Sequence, residues 1–303
     1  MNSFLLHLLI LIFVQSIILA QSDSIKTFYS NGILKKIEYY VNGKLEGEAR
    51  YYSETGIIQE IVNYKNGKKH GTSLTFSEKG ILREYVHYIE NKYNGEFRTF
   101  HENGALNEVG HYLNGSLVNQ YRSFYEGGEI KCEYFFVDGG KEGIARDFYK
   151  NGQVKVEAQF NHNLQNGLTK WFYENGKLKG LYNYLEGNLH GETKEFYEND
   201  SLMSIKNYLF GHLNGVIYEF YQNGLVKLES NFINGFREGI TKSFYENGNL
   251  WTEQNYKSNL LDGETKIFRN DSSLWFVENY AKGKLVSSKE FDESGRFIQE
   301  KLN

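Results

Sequence analysis

The stretch FYENGKLKGLYNY, Phe172–Tyr184, decides the fold, because its opening letters return at Phe244 as FYENG, at Phe196 as FYEND and at Phe220 as FYQNG. The phenylalanines at 148, 172, 196, 220, 244 and 268 stand 24 residues apart. The same ruler run backwards meets Phe124, Phe100, Phe76, Tyr52 and Phe28 with no insertion or deletion, and a shortened unit begins at Phe291. Self-similarity at such a period is the mark of a repeat architecture.

Other columns keep the period. An aliphatic residue follows each leading aromatic at Leu34, Ile58, Leu82, Leu106, Ile130, Val154, Leu178, Leu202, Val226, Leu250 and Leu274. A second aromatic follows at Tyr40, Tyr64, Tyr88, Tyr112, Phe136, Phe160, Tyr184, Tyr208, Phe232, Tyr256 and Tyr280. One glycine column includes Gly32, Gly104, Gly176 and Gly248, with Asp200 and Ser272 as departures. Another includes Gly43, Gly115 and Gly187, and each of its departures is asparagine: Asn91, Asn163 and Asn259. Asparagine is the side chain that best tolerates positive φ after glycine, so this column reads as a left-handed turn position. A third column, from Gly47 to Gly263, departs at Asn119 and ends at Ser287.

Between these turns lie short runs rich in Tyr, Phe, Ile, Val and Thr, the composition of strands. The unit is therefore a β-hairpin. Two strands per period predict an all-β, elongated, single-layer twisted sheet of antiparallel hairpins, about eleven to twelve units in a single repeat domain over residues 21–303. The absence of proline fits a chain in which most backbone N–H groups serve a ladder. At the FYENG turn two registers are open: a two-residue loop puts Tyr173 beside Leu178, and a three-residue loop puts Phe172 there. The last units, with Arg269, Ser272 and Ser287 in place of Tyr, Gly and Gly, read as a polar C-terminal cap.

Residues 1–20, MNSFLLHLLILIFVQSIILA, stand outside the repeat and carry no charge. The apolar run with a small residue at Ala20 reads as a signal peptide cleaved before Gln21, or as an uncleaved N-terminal anchor. Either reading implies export, to a secreted, periplasmic or cell-surface location, with membrane contact only through an uncleaved N-terminal segment. The lone Cys132 excludes internal disulfides. A net charge of −4, with Lys and Arg scattered, argues against a nucleic-acid partner.

The eight histidines form no metal-ligand spacing, and no nucleophile with a base and an orienting group is evident. The expectation is a chain without enzyme activity, cofactor or metal. The candidate partner-binding residues are an aromatic ladder, Tyr125, Tyr149, Tyr173, Tyr197, Tyr221 and Tyr245 with Trp251 and Trp275 near its end. Exposed aromatic ladders bind partners; the same tyrosines could instead cover a sheet that has no second layer.

The columns FYENGKL…NY…GNLHGE (Phe172 to Glu192) and TFSEKGIL…HY…NKYNGE (Thr75 to Glu96) resemble the variant MORN repeat of YwqK-type antitoxin proteins, over residues 25–297. The resemblance implies an elongated hairpin array that acts as a binding or scaffolding surface, and no catalytic residue. Three functions follow: an exported scaffold for a protein partner, an immunity or antitoxin protein that blocks a toxin, or a glycan-binding adhesin.

Overall fold

The computed structural model describes residues 23–302; the signal-peptide or anchor segment lies outside the described residues. Those residues form strands and turns, with no helix among them. They fall into two compact units, one ending at Asn94 and the other beginning at Gly95. Every strand pairing is antiparallel between chain neighbours, so each unit is a meander of hairpins, as the period predicts.

Two kinds of strand alternate. An outgoing strand such as Leu178–Leu185 follows a FYENG-type loop, and a returning strand such as Gly191–Phe196 follows a tight turn. At the loop, Phe172 faces Leu178, Tyr173 N–H donates to the Lys177 carbonyl and Gly176 N–H to the Tyr173 carbonyl. That is the three-residue loop, a turn over Glu174 and Asn175 closed by Gly176 at φ 84°. The register therefore puts Phe172, not Tyr173, beside Leu178.

The tight turn is different. Val41 faces Lys44, and the two residues between them, Asn42 and Gly43, have φ 51° and 74°. Two successive positive φ values define the type I′ hairpin, whose twist matches that of the strands it joins. The third glycine column marks a bulge: Tyr256 faces Leu261 but Gln254 faces Thr265, so two extra residues sit on the returning strand. In the unit that precedes Phe291, which is one residue short of the period, Tyr280 faces Leu285 and Asn279 faces Ser287, one extra residue instead of two. The deletion that shortens this unit thus falls in the bulge, and Ser287 has no positive φ, unlike the glycines of its column.

Packing concentrates on one face. Cross-strand pairing lines up Ala49, Val62, Ser73 and Val86 in the first unit, all buried, with Val62 fully enclosed. In the second unit Ala145 faces Ala158, and Ile217, Ser230 and Thr241 follow one another across three strands. Small side chains suit this line because aromatic rings lie over it. A Cβ built on Gly110 would sit 2.7 Å from the Phe97 ring, and one on Gly180 2.5 Å from the Tyr182 ring. Glycine makes room for the ring, and the ring supplies the apolar cover that a second layer would otherwise give.

Candidate interaction surface

The six predicted tyrosines stand in one row along the loop edge of the second unit, and each hydroxyl donates to a backbone carbonyl of the next repeat. Tyr125 donates to Phe148 at 2.8 Å, Tyr149 to Phe172 at 2.9 Å and Tyr173 to Phe196 at 2.7 Å. Tyr197, Tyr221 and Tyr245 repeat the bond to Phe220, Phe244 and Phe268. At two departures from the column the bond survives: His101 places Nε2 3.0 Å from the Phe124 carbonyl, and Arg269 donates to the Phe291 carbonyl at 2.7 Å.

A second side chain covers five of the six rings. Lys131, Lys155, Lys179 and Lys227 hold their ammonium groups 5.4–6.0 Å from the rings of Tyr125, Tyr149, Tyr173 and Tyr221. Trp251 takes the lysine's place against Tyr245, at 5.8 Å between ring centres. Trp275 takes it against Arg269, with the guanidinium 5.2 Å over the indole. The two predicted tryptophans are therefore members of the same inter-side-chain pairs, exposed on their outer faces.

The loop asparagines add a parallel row. Asn151 and Asn223 each accept the N–H two residues on and donate across to the next loop's carbonyl, at Glu174 and Glu246. Side chains thus tie successive loops together along this edge. The predicted loop glycines Gly32, Gly104, Gly176 and Gly248 have φ between 82° and 90°.

The opposite edge carries the type I′ turns, with Gly43, Gly115 and Gly187 at φ 74°, 92° and 81°. The asparagines that replace glycine here do more than tolerate the angle. Asn91, Asn163 and Asn259 each accept the backbone N–H of the preceding repeat's turn, from Lys69, Lys141 and Arg237. Acidic and amide side chains tie other turns together: Glu142 accepts the His162 N–H and Glu238 the Ser258 N–H.

The second unit exposes apolar side chains along this edge that sequence reasoning did not single out. Leu113, Val137, Leu164, Leu209, Ile233, Phe236 and Leu260 flank the turns, all exposed. Ile144, Leu168, Val216 and Ile240, next to the bulge glycines, are exposed as well. By the alternation of side chains along a strand, these positions share the face opposite the sealed line. Leu164 reaches the next turn, its Cδ2 3.6 Å from where a Gly187 Cβ would stand, so neighbouring members of the stripe are close. The signal was present in the sequence: an apolar residue stands on at least one side of each turn pair from Leu113 to Leu260, where exposed hairpin ends ordinarily carry polar ones.

The same face bears rows of ion pairs between the stripe and the loops. Glu157 binds Arg146 at 2.9 Å and Lys170 at 3.3 Å; burial pushes its carboxyl pKa up, but these two cations hold it below the usual carboxylate value. On the sealed face Glu195 accepts from Tyr182 at 2.8 Å, Ser204 at 2.7 Å and Lys206 at 3.2 Å. Burial raises its pKa and these donors outweigh that, so it is held ionised. A shallow depression beside it is lined by Tyr197, Met203, Lys206, Glu219 and Lys227. Cys132 is buried with its Sγ 2.9 Å from the Ser123 hydroxyl. Among the described residues no three His, Cys, Asp or Glu side chains form a metal-binding group.

No curated protein matches the chain. Among solved structures, the TcdB2–TccC3–Cdc42 complex aligns at 10% identity and TM-score 0.20, over 93% of this chain and 18% of that one. TcdB2–TccC3 aligns at 11% identity and TM-score 0.20, over 92% of this chain and 15% of that one. The chain thus spans less than a fifth of the length of those chains. The MORN repeat variant matches at residues 25–42, 45–66, 93–114, 141–162, 165–186, 189–209 and 237–258. From the second match on, each runs from a returning strand through a FYENG-type loop into the next outgoing strand. Seven stretches of the chain thus match the variant MORN repeat, and the intervening units have the same hairpin construction.

Proposed function

We propose that this chain is a non-enzymatic, exported binding scaffold, and that its second unit holds a protein partner on the apolar stripe beside the type I′ turns. The observation that carries the reading is the contrast between edges. The loop-edge tyrosines have hydroxyls bonded within the array, and all but Tyr197 have rings covered by Lys or Trp, whereas the stripe's aliphatic side chains face solvent. Contiguous exposed apolar surface rimmed by charge is the composition of a protein interface. Export rests on the charge-free apolar run of residues 1–20.

The test is capture from the source organism's extract and medium, with three baits. One is the unaltered protein, one carries Val137, Leu164, Ile233 and Phe236 changed to Ser, and one carries Tyr149, Tyr173, Tyr197 and Tyr221 changed to Phe. The expected result is one stoichiometric protein retained by the first and third baits and lost from the second. Loss from the tyrosine bait alone would move the site to the aromatic row. Retention of glycans without protein would overturn the scaffold reading in favour of an adhesin, and a toxic retained protein would narrow it to immunity.

A further inference from the structure

The array begins on a returning strand, Asp23–Phe28, and ends on an outgoing strand, Phe297–Leu302. The first pairs only with Leu34–Val41 and the second only with Lys284–Phe291, so among the described residues each has one free edge. An outgoing strand is followed everywhere inside the array by a returning one. We propose that the C-terminal strand of one copy pairs with the N-terminal strand of a second copy, continuing the repeat lattice head to tail.

The interior register states which residues would meet. When an outgoing strand pairs with the returning strand after it, Thr252 faces Ile267, Glu253 faces Lys266 and Gln254 faces Thr265. The equivalent residues at the ends are Gln299, Glu300 and Lys301 on one copy and Thr27, Lys26 and Ile25 on the next. The junction sets Glu300 against Lys26.

That pairing reproduces an interior device. Glu157 sits between Arg146 and Lys170, and Glu253 between Lys242 and Lys266, one cation on each neighbouring strand. Glu300 has Lys289 at 3.8 Å on its inner side and an open edge on the other. Lys26 faces Ile37 in its own hairpin, and it makes no ion pair among the described residues. Each end holds half of a bridge that the interior completes.

The apolar ends agree. The last strand is not part of the polar C-terminal cap that Arg269, Ser272 and Ser287 suggested, since Phe297, Ile298 and Leu302 are 57%, 53% and 79% exposed. Ile25 occupies the line that is sealed at Ala49 and Thr169, yet it is 45% exposed. A following strand would cover both sets, and an exposed edge of this kind is a template for pairing. The contact joins different surfaces, so it is heterologous and grows past a dimer unless it closes into a ring.

The experiment is sedimentation velocity on the full-length protein over a range of concentrations, with Lys26→Glu, Glu300→Lys and their equimolar mixture. Both sites are exposed, and circular dichroism checks that each variant keeps its strands. The unaltered protein is expected to associate beyond a dimer as concentration rises. Each reversal opposes like charges at the junction and weakens association about tenfold or more. The mixture restores it, because each variant's C-terminal edge then meets a complementary N-terminal edge on the other. If one variant fails to fold, the doubly reversed protein replaces the mixture, with the expectation that it associates with itself. A monomer at every concentration, association that ignores Lys26→Glu, or a mixture that behaves as its two components would each overturn the proposal; the second outcome would indicate pairing of two C-terminal strands, or association through another surface.

Discussion

Asn223–Gly224 and Asn234–Gly235 are the same two letters in one repeat, and they make different turns. At the first, only Gly224 is left-handed, at φ 86°; Asn223 stays right-handed, accepting the Leu225 N–H and donating to Glu246 in the next loop. At the second, both residues are left-handed, at 49° and 83°, and Asn234 is present for its backbone angle. The loop asparagine is a side-chain connector between repeats, and the turn asparagine is a conformational choice. The two edges inherit the difference: at the loops the asparagine both shapes the turn and links the repeats, whereas at the turns the left-handed pair closes the hairpin and leaves the flanking positions available for apolar residues.

The largest test removes the stitching. Changing Tyr149, Tyr173, Tyr197 and Tyr221 to Phe keeps the rings but leaves four backbone carbonyls without their hydroxyl donors. At about 0.5–1.5 kcal/mol per bond, chemical denaturation should show a loss of about 2–6 kcal/mol. Because each bond joins neighbouring repeats, the loss should fall on coupling and broaden the transition, as in a one-dimensional array. An unchanged midpoint would mean that the ring stacks, not the hydroxyls, hold the repeats together.

The next test separates the two asparagines by sign. Asn223→Gly deletes a turn bond and an inter-repeat bond while loosening the unfolded chain, and should cost about 1–2 kcal/mol in thermal or chemical unfolding. Asn234→Gly removes a residue from a left-handed angle that glycine adopts freely, and should be neutral or stabilising by up to about 1 kcal/mol. Equal losses at both sites would dissolve the distinction between the edges.

This comparison also marks what the sequence could and could not tell. The 24-residue spacing, the alternating strand composition and the asparagine replacements in one glycine column were enough for hairpins and for a left-handed turn. The loop register was not, because Asn–Gly serves both a two-residue and a three-residue connection, and the choice depends on which backbone groups meet across the strands. The tyrosine row was visible, but its direction was not: a hydroxyl's partner is a carbonyl 23 residues away in the chain, brought near by stacking alone. Arg269 looked like decay of the pattern, yet it keeps the inter-repeat bond with a longer side chain. The short final unit from Phe291 was legible, but the residue missing from the unit before it was not, and strand pairing places that residue in the bulge.

A smaller effect is expected from Gly235→Asn. Asparagine already occupies the equivalent place at Asn91, Asn163 and Asn259, where its side chain accepts an N–H from the preceding turn. At residue 235 the corresponding donor is the Leu213 N–H, whose carbonyl already receives the Gly235 N–H at 2.8 Å. The new bond offsets the modest strain of a positive φ, and stability should change by less than about 0.5 kcal/mol. A loss above about 1 kcal/mol would show that the natural asparagines depend on their own neighbours and not on the turn type.

The smallest change in stability, and the sharpest division between the edges, should come from Ile233→Ser with Phe236→Ser. The two residues face each other across the type I′ turn and are exposed, so folding gains little from burying them, and exposed substitutions ordinarily move stability by no more than about 0.5 kcal/mol. Their retention at the end of a hairpin, where polar residues would serve folding equally well, is the physical reason to look for a contact outside the chain. A denaturation curve that overlays the unaltered protein's, together with loss of a bound protein, would separate the two roles: one edge joins the repeats and the other presents them. If unfolding instead shifts by about 2 kcal/mol, the apolar side chains are supporting each other along the stripe, and the edge belongs to the fold as fully as the tyrosines do.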